Sequence, residues 1–354
     1  MKKFSFALLA LLMAATSAQA ASWKVGPSSV AGMDFASINA AMEAETVAAG
    51  DTLYLDQYYN ESAEQTITKA VVIIGTGYDN SFNDEQVVAK LTNNLNFKTN
   101  KAIVKSVYLK NVYFFNDNCT LERCYANFIR VSSAAAGMNH VYSCYIQGRI
   151  EGYSTTEYSK MDIQNCVVYD NGWSITPPIF NIAYLKESII NNNVVYKYYN
   201  ESYSDRQNNY SFGYISNSSI TNNIIYGQCG GQDRCFRSDV YTSGSGNTIE
   251  HNVMSGSITN FPTNKMNWRE KWSVIFVAEG NYSNYYKLAT ENGENPAIGY
   301  ATDGGDIGAH GGMFGCPSGG RPQYIPYFTK VQVASKPNDE GKLPVTVKLA
   351  IQSE

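Results

Sequence analysis

Six short phrases decide how this chain folds: LERCYAN at 121–127, VYSCYIQ at 141–147, IQNCVVY at 163–169, INNNVVY at 190–196, ITNNIIY at 220–226 and IEHNVMS at 249–255. Each opens on an aliphatic residue, passes two mostly polar positions, reaches Cys or Asn, and usually continues into apolar or aromatic residues. The Cys/Asn position falls at Cys124, Cys144, Cys166, Asn193, Asn223 and Asn252, in steps of 20, 22, 27, 30 and 29 residues. A repeat of that length, rich in β-branched residues and without helical period, predicts an all-β solenoid of stacked coils. Asn tolerates left-handed turns, and its amide both donates to and accepts from an Asn one coil away. Stacking therefore satisfies a polar group that is costly to bury alone. Cys in the first three coils keeps the size and drops those bonds, so the amino-terminal turn row is expected to be drier.

Working outward, SVYLKNVYFF (106–115) reads like a further phrase with Asn111 at the ladder position. Only 13 residues separate Asn111 from Cys124, too few for three strands and three turns. Either that coil is truncated or Asn111 is out of register. Upstream, DFASINAAMEAETVAAG (34–50) predicts the one convincing helix, with Phe35, Ile38 and Met42 on one face and Gly50 at its end. A short amphipathic helix is suited to covering the open edge of a terminal coil. TLYLD (52–56) and AVVIIG (70–75) follow as strands. Beyond Gly312 the segment 315–322 reads as a linker. YFTKVQVAS (327–335) and LPVTVKLAI (343–351) read as two strands around a PNDEG turn, expected to dock on the solenoid.

The first residues fit a secretory signal: Lys2 and Lys3, an apolar run from Phe4 to Ala15, then Ala18-Gln19-Ala20. Residues 1–20 are thus expected to be removed, leaving a periplasmic, secreted or cell-surface protein with a β-helix domain over 21–314 and a strand extension over 315–354. No later stretch is long and apolar enough for a membrane-spanning helix. Loss of Lys2 and Lys3 takes the formal net charge from −4 to about −6, and no basic run suits nucleic acid or anionic lipid. Tyrosine is abundant, at 27 residues, which suits stacking on sugar rings. Seven cysteines leave an odd count. Cys229 and Cys235 flank a Gly-rich loop that a disulfide would close. Cys124, Cys144 and Cys166 stack on neighbouring coils about 4.8 Å apart, within disulfide reach, with a ladder of buried thiols as the favoured alternative.

FASINAAMEAETVAAGDTLYLDQYYNES (35–62) followed by ITKAVVIIGTG (67–77) resembles the start of right-handed parallel β-helix proteins of the pectin-lyase-like class. NPAIGYATDGGDIGAHGG (295–312) is similar to the segment that often closes them. The resemblance covers roughly 35–312 and implies a right-handed solenoid acting on, or binding, extracellular polysaccharide.

No motif carries a reaction by itself. His140, His251 and His310 lack metal-type spacing and read as structural. Asp162, Glu187, Asp205, Asp233 and Asp239 do not stack into the carboxylate pair a hydrolase needs. A uronate lyase on this fold takes Lys or Arg as base, which points to Arg237 or Lys186, with Lys160 and Arg206 also available. No cofactor is implied by the residues; the resemblance admits calcium, for which Asp303 and Asp306 are the nearest candidates, against a turn-capping role. Counting back from the ladder aligns Tyr184, Tyr214 and Tyr241, with Phe180, Tyr210 and Arg237, and then Ile182, Phe212 and Asp239, in the same register. Charged Arg237 and Asp239 are not expected inside an apolar cylinder unpaired, so this row is placed outward and the row Asn181, Ala183 and Leu185 inward. Tyr184, Tyr214, Arg237, Asp239 and Tyr241 then form a candidate glycan-binding strip, aromatic faces for sugar rings and Arg for a uronate. The opposite orientation, with the aromatics in the core, is the alternative. Three functions follow: polysaccharide binding, uronate β-elimination, or a structural or adhesive role using the loop 196–210.

Overall fold

The structure, a computed structural model, describes residues 20–78, 88–132, 137–154, 158–170, 180–199, 209–229, 232–268, 272–277, 286–290, 295–315, 327–333, 342 and 345–350. Two long sheets run the length of the solenoid, of 10 and 13 strands. Within the first, every pair is parallel, from Ser22–Val25 against Thr52–Leu55 through to Ser219–Thr221 against Thr248–Glu250. The all-β parallel solenoid expected from the repeats is what forms. Its core is a column of apolar side chains stacked coil on coil, including Ile73, Val104, Leu121, Val141, Ile163, Ile190, Ile220 and Ile249.

The Cys/Asn positions form the predicted ladder. The Cys124 amide donates to Cys144 Sγ (3.4 Å), Cys144 N to Cys166 Sγ (3.5 Å) and Cys166 N to Asn193 Oδ1 (2.9 Å). Asn193 N then donates to Asn223 Oδ1 (2.8 Å) and Asn223 N to Asn252 Oδ1 (2.9 Å). Each Asn Nδ2 also reaches the next Asn Oδ1, and the ladder ends on Asn264, which receives Asn252 N at 3.0 Å. Cys119, Cys124, Cys144 and Cys166 are free, buried thiols, so the stacked cysteines are not bridged; Cys235 is buried, and the Cys229 side chain lies outside the described residues.

A second ladder runs beside the first. Cys119, Asn139, Met161, Ser188, Ser218 and Asn247 each sit five residues before a member of the first ladder. Cys119 N donates to Asn139 Oδ1 (3.0 Å), Met161 N to Ser188 Oγ (3.0 Å), Ser188 N to Ser218 Oγ (3.0 Å) and Ser218 N to Asn247 Oδ1 (2.8 Å). Between the two ladders lies the short central run of each strand of the first sheet. The left-handed residues are not the ladder members but those just before them: Arg123, Ser143, Asn165, Asn192, Asn222 and His251 have φ between 52° and 57°.

Coils lengthen at one corner. Strand Tyr145–Glu151 pairs through Tyr145 and Ile146 with Val167 and Val168, but through Ile150 and Glu151 with Ile182 and Ala183. One long strand becomes two, Val167–Asp170 and Phe180–Lys186, and the added residues enter between them. The same split recurs between Val194–Tyr199 and Tyr210–Ser216. Asn111 proves to be out of register: Tyr108 pairs with Tyr125, which puts Val107 at the ladder position, and Asn111 instead pairs with Phe128.

Three further expectations need correcting or completing. The helix spans only Ile38–Glu43, because Asp34 N and Phe35 N bond Lys24 O at its start (2.9 and 3.1 Å) and Lys69 Nζ takes Ala44 O and Val47 O after its end. Residues 297–315 do not simply follow the last coil; they run back as a strap along the left-handed row. Asn222 Nδ2 meets Thr302 Oγ1 (3.0 Å), Asn192 Nδ2 meets Asp306 O (3.2 Å), Asn165 Nδ2 meets Ala309 O (3.1 Å) and Ser143 Oγ meets Phe314 O (3.3 Å). Ala297, Ala301, Ile307 and Ala309 thereby cover the outer row Val167, Val194, Ile224 and Val253. Gly308, at φ 90°, lies where a Cβ would come 2.7 Å from Ile224 Cδ1. Finally, Tyr327–Val333 and Val345–Ala350 pair with each other, antiparallel.

Candidate functional site

The corner where coils lengthen carries the residues singled out by the sequence. Tyr184 and Tyr214 have φ of 61° and 54°. This left-handed kink interrupts strand alternation, so the predicted faces do not hold along the whole row. Ile182, Leu185, Phe212 and Ile215 all enter the core, while Tyr184 and Tyr214 remain half-buried at the surface. Their rings stack across the two coils, centroids 5.1 Å apart and 22° between planes.

The third coil follows a different register from the expected one. Phe236, not Asp239, bridges to Phe212, and Ser238–Tyr241 is a helical turn. Arg237 lands on the stack nonetheless, its guanidinium 3.9 Å from the Tyr214 ring centre, a contact of about 0.5–2 kcal/mol. Asp239 holds it there: Oδ1 lies 3.3 Å from Arg237 Nε, and Oδ2 accepts the Tyr214 amide at 2.7 Å. Tyr158 borders the same group. Burial pushes its phenol up, and the Asp239 charge pushes in the same direction.

A second stack, beside the first and with its rings nearly perpendicular to it, is formed by Phe180, Tyr210 and Arg234. Phe180 and Tyr210 stack at 6.4 Å, and Arg234 sits 5.3 Å over the Tyr210 ring with Nη1 donating to its hydroxyl (2.9 Å). Phe180 joins the two stacks, edge-on to Tyr184 at 6.1 Å and to Tyr214 at 5.5 Å. Its ring occupies the space over Gly213, where a Cβ would meet Phe180 Cε1 at 2.1 Å. Tyr241 belongs elsewhere than predicted: with Tyr210, Arg234, Phe236 and Ile258 it lines a cavity of about 200 Å³ beside the second stack. The sequence held a signal for Arg234, since it stands two residues before Phe236, but only once Phe236 is known to pair with Phe212.

Toward the amino terminus the face continues through charge. Glu151 is buried and bound to Arg149 (Nε to Oε1, 3.1 Å), and Arg149 lies 5.1 Å over Phe128. After burial, the Glu151 charge is the main reason that the Tyr184 phenol is pushed up. Sequence reading passed over Arg149 and Glu151 because their coil has the short corner. Lys186, the other candidate base, stands apart from this group. It is exposed and contacts Glu187 (3.5 Å), which Lys160 holds more closely at 2.6 Å.

A different polar cluster lies on the outer face of the first sheet. Asp162 accepts from Tyr142 Oη (2.5 Å) and Gln164 Nε2 (2.7 Å), and His140 Nδ1 is 3.4 Å from it. His140 and Asp162 are register partners on adjacent strands, which sequence spacing alone did not reveal. Asp303 and Asp306 each cap a glycine amide, Gly305 N and Gly299 N, both at 2.9 Å. Among the described residues no group of three or more His, Cys, Asp or Glu gathers as a metal site would require. His251 Nδ1 pairs with Tyr300 O at 2.9 Å, within the strap contacts. Among the described residues no helix is long and apolar enough to cross a membrane. Asp205, Arg206 and most of the loop 196–210 lie outside the described residues, as does the Asp233 side chain.

Comparison with family models, with curated proteins and with solved structures gives no match for this chain. What the site does is therefore argued from its own residues.

Proposed function

We propose that this is a secreted, periplasmic or cell-surface β-helix protein, akin to the pectin-lyase-like class, that binds an acidic extracellular polysaccharide at the coil-lengthening corner. The observation that carries this is the pair of adjacent stacks, Tyr184–Tyr214–Arg237 and Phe180–Tyr210–Arg234, in which each aromatic pair ends on a guanidinium. Tyr184, Tyr214 and Tyr210 are half-exposed, with Phe180 buried behind them; such aromatic faces suit the apolar side of a sugar ring, and a guanidinium held in a fixed plane suits a carboxylate. Adjacent coils repeat about every 4.8 Å, comparable to one sugar residue of an extended chain. Binding is favoured over β-elimination because Arg237 is paired with Asp239 and stacked on Tyr214. A guanidinium so held serves as an anchor rather than a base.

The test is retention of the mature protein on immobilised polyuronates and on neutral glucans, with and without calcium, while unsaturated products are followed by absorbance. Specific, salt-sensitive retention on polyuronate is expected without turnover. Tyr214→Ala and Arg237→Ala should each weaken it about tenfold or more, and Lys186→Ala should leave it unchanged. Turnover lost in Arg237→Ala would replace binding by lyase chemistry. Absence of both retention and turnover on every glycan would leave the structural or adhesive reading.

A further inference from the structure

We infer that removal of the leader after Ala20 creates an internal ion pair, the new α-ammonium of Ala21 with the buried carboxylate of Asp51, which locks the first coil of the mature protein. Asp51 is 3% exposed, and both of its oxygens are engaged. Oδ1 accepts from Ala21 N at 2.7 Å; Oδ2 accepts from Trp23 Nε1 at 2.8 Å and from Ala48 N at 2.9 Å. All three donors are neutral while the chain is intact. Among the described residues no Lys, Arg or His lies within ion-pair distance of Asp51. Lys69, the nearest charge acting on it, has its Nζ bonded instead to Ala44 O and Val47 O. Burial penalises the Asp51 charge, but the bonds from Ala48, Trp23 and Ala21 outweigh it and hold the carboxyl below its ordinary value, so the group stands ionised with no cation paired to it among the described residues.

The one donor to Asp51 that can become charged lies at the processing point. Ala18-Gln19-Ala20 is the small-residue pattern that a signal peptidase cuts after, and Ala21 is the very next residue. Hydrolysis of the Ala20–Ala21 peptide bond consumes one water, leaves the carboxylate on Ala20 and leaves an amine on Ala21 that is protonated at neutral pH. The nitrogen need not move: Ala21 O already accepts Thr52 N at 2.9 Å, and Ser22 is paired with Thr52 in the sheet. One neutral hydrogen bond becomes a charge-assisted one, the stronger kind. The groups it fastens are the first strand and the segment 48–52. This inference depends on processing after Ala20 and is independent of which glycan, if any, the corner binds.

Three forms of the protein test it: mature protein beginning at Ala21 with a free amine, the same chain N-acetylated, and the same chain carrying a short neutral extension. Amide hydrogen exchange of residues 22–25 and 52–55 reports opening of the first coil. The free-amine form should be protected about tenfold more than both blocked forms. The advantage should vanish above about pH 10, once the amine is neutral, because a group bound in its protonated form stabilises below its pKa and not above it. In Asp51→Asn the three forms should exchange alike. Equal protection of free and blocked forms in the unsubstituted protein would overturn the inference, whatever happens to Asp51→Asn. So would amino-terminal sequencing of the exported protein that begins anywhere other than Ala21.

Discussion

The coil that carries Cys144 and the coil that carries Asn223 share the same strand between two ladders, five residues apart, yet differ in everything added to it. The steps at the amino-terminal end are 20 and 22 residues; those at the carboxy-terminal end are 30 and 29. The short coils turn on thiols and keep a single long strand past the ladder, Tyr125–Val131 or Tyr145–Glu151. The strand is broken in two in the coil that follows Cys166 and stays broken in the longer coils, which turn on amides. The Tyr184–Tyr214 and Phe180–Tyr210 stacks, with Arg237 and Arg234 on them, lie on the broken strands. The lesson is that the ladders hold the register fixed, so the corner opposite them is free to grow and to carry the residues of a binding face.

The sharpest way to break this comparison is to remove a rung from each end. Asn223 accepts from Asn193 N and Nδ2, and its own Nδ2 donates to Ile190 O, Thr221 O and Asn252 Oδ1. Asn223→Ala strands several buried polar groups at once and should destabilise by about 4 kcal/mol. Cys144→Ala removes a weak acceptor for Cys124 N and a little volume, and should cost about 1 kcal/mol. Chemical denaturation of the two variants measures the gap. Equal losses would mean that the amide ladder adds no more than filler does.

Much of the frame was legible because it repeats. The Cys/Asn ladder gave its own spacing, and its spacing gave the solenoid. The companion ladder is hidden in the sequence because its members, Cys119, Asn139, Met161, Ser188, Ser218 and Asn247, share no chemistry; Asn139, Ser188, Ser218 and Asn247 have in common only the backbone amide each accepts. The corner was legible in two coils out of three. Tyr184 and Tyr214 align because nothing between them and the ladder changes length. Tyr241 failed to align because the next coil has Phe236 opposite Phe212 and then turns into a helix. The face assignment failed at Ile182 for a local reason: a left-handed tyrosine two residues on inverts the alternation that period-two reasoning assumes. Asn111 misled because Asn is common in this chain for more than one purpose; here it donates to Asn94 Oδ1 on a strand face.

A smaller effect is expected from the corner itself. Gly213→Ala would push a methyl group into the Phe180 ring, which has Tyr184 and Tyr214 against its edge and cannot withdraw freely. A loss of about 2 kcal/mol is expected, accompanied by weaker polyuronate retention, because Phe180 is what ties the two stacks together. Retention that survives a destabilised Gly213→Ala would sharpen the comparison, by showing that Tyr184–Tyr214–Arg237 acts without its neighbour.

The smallest effect concerns the constant strand rather than the corner. Burial by itself pushes the Asp162 carboxyl up, but bonds from His140, Tyr142 and Gln164 together outweigh it and hold the group below its ordinary value of 3.8. A carboxylate whose pKa is depressed by folding stabilises the fold above its unfolded value, and that contribution is lost as pH falls through the folded value. Asp162→Asn should therefore cost about 1 kcal/mol at neutral pH, and the difference from the unsubstituted protein should fade as the pH falls below the ordinary carboxyl value of 3.8. Stability curves across acid pH measure this directly. The same variant should keep its polyuronate retention, since Asp162 and His140 sit on the outer face of the sheet that every coil shares. If retention fell instead, the binding face would have to be sought on the shared strands, and coil growth at the other corner would need a different cause.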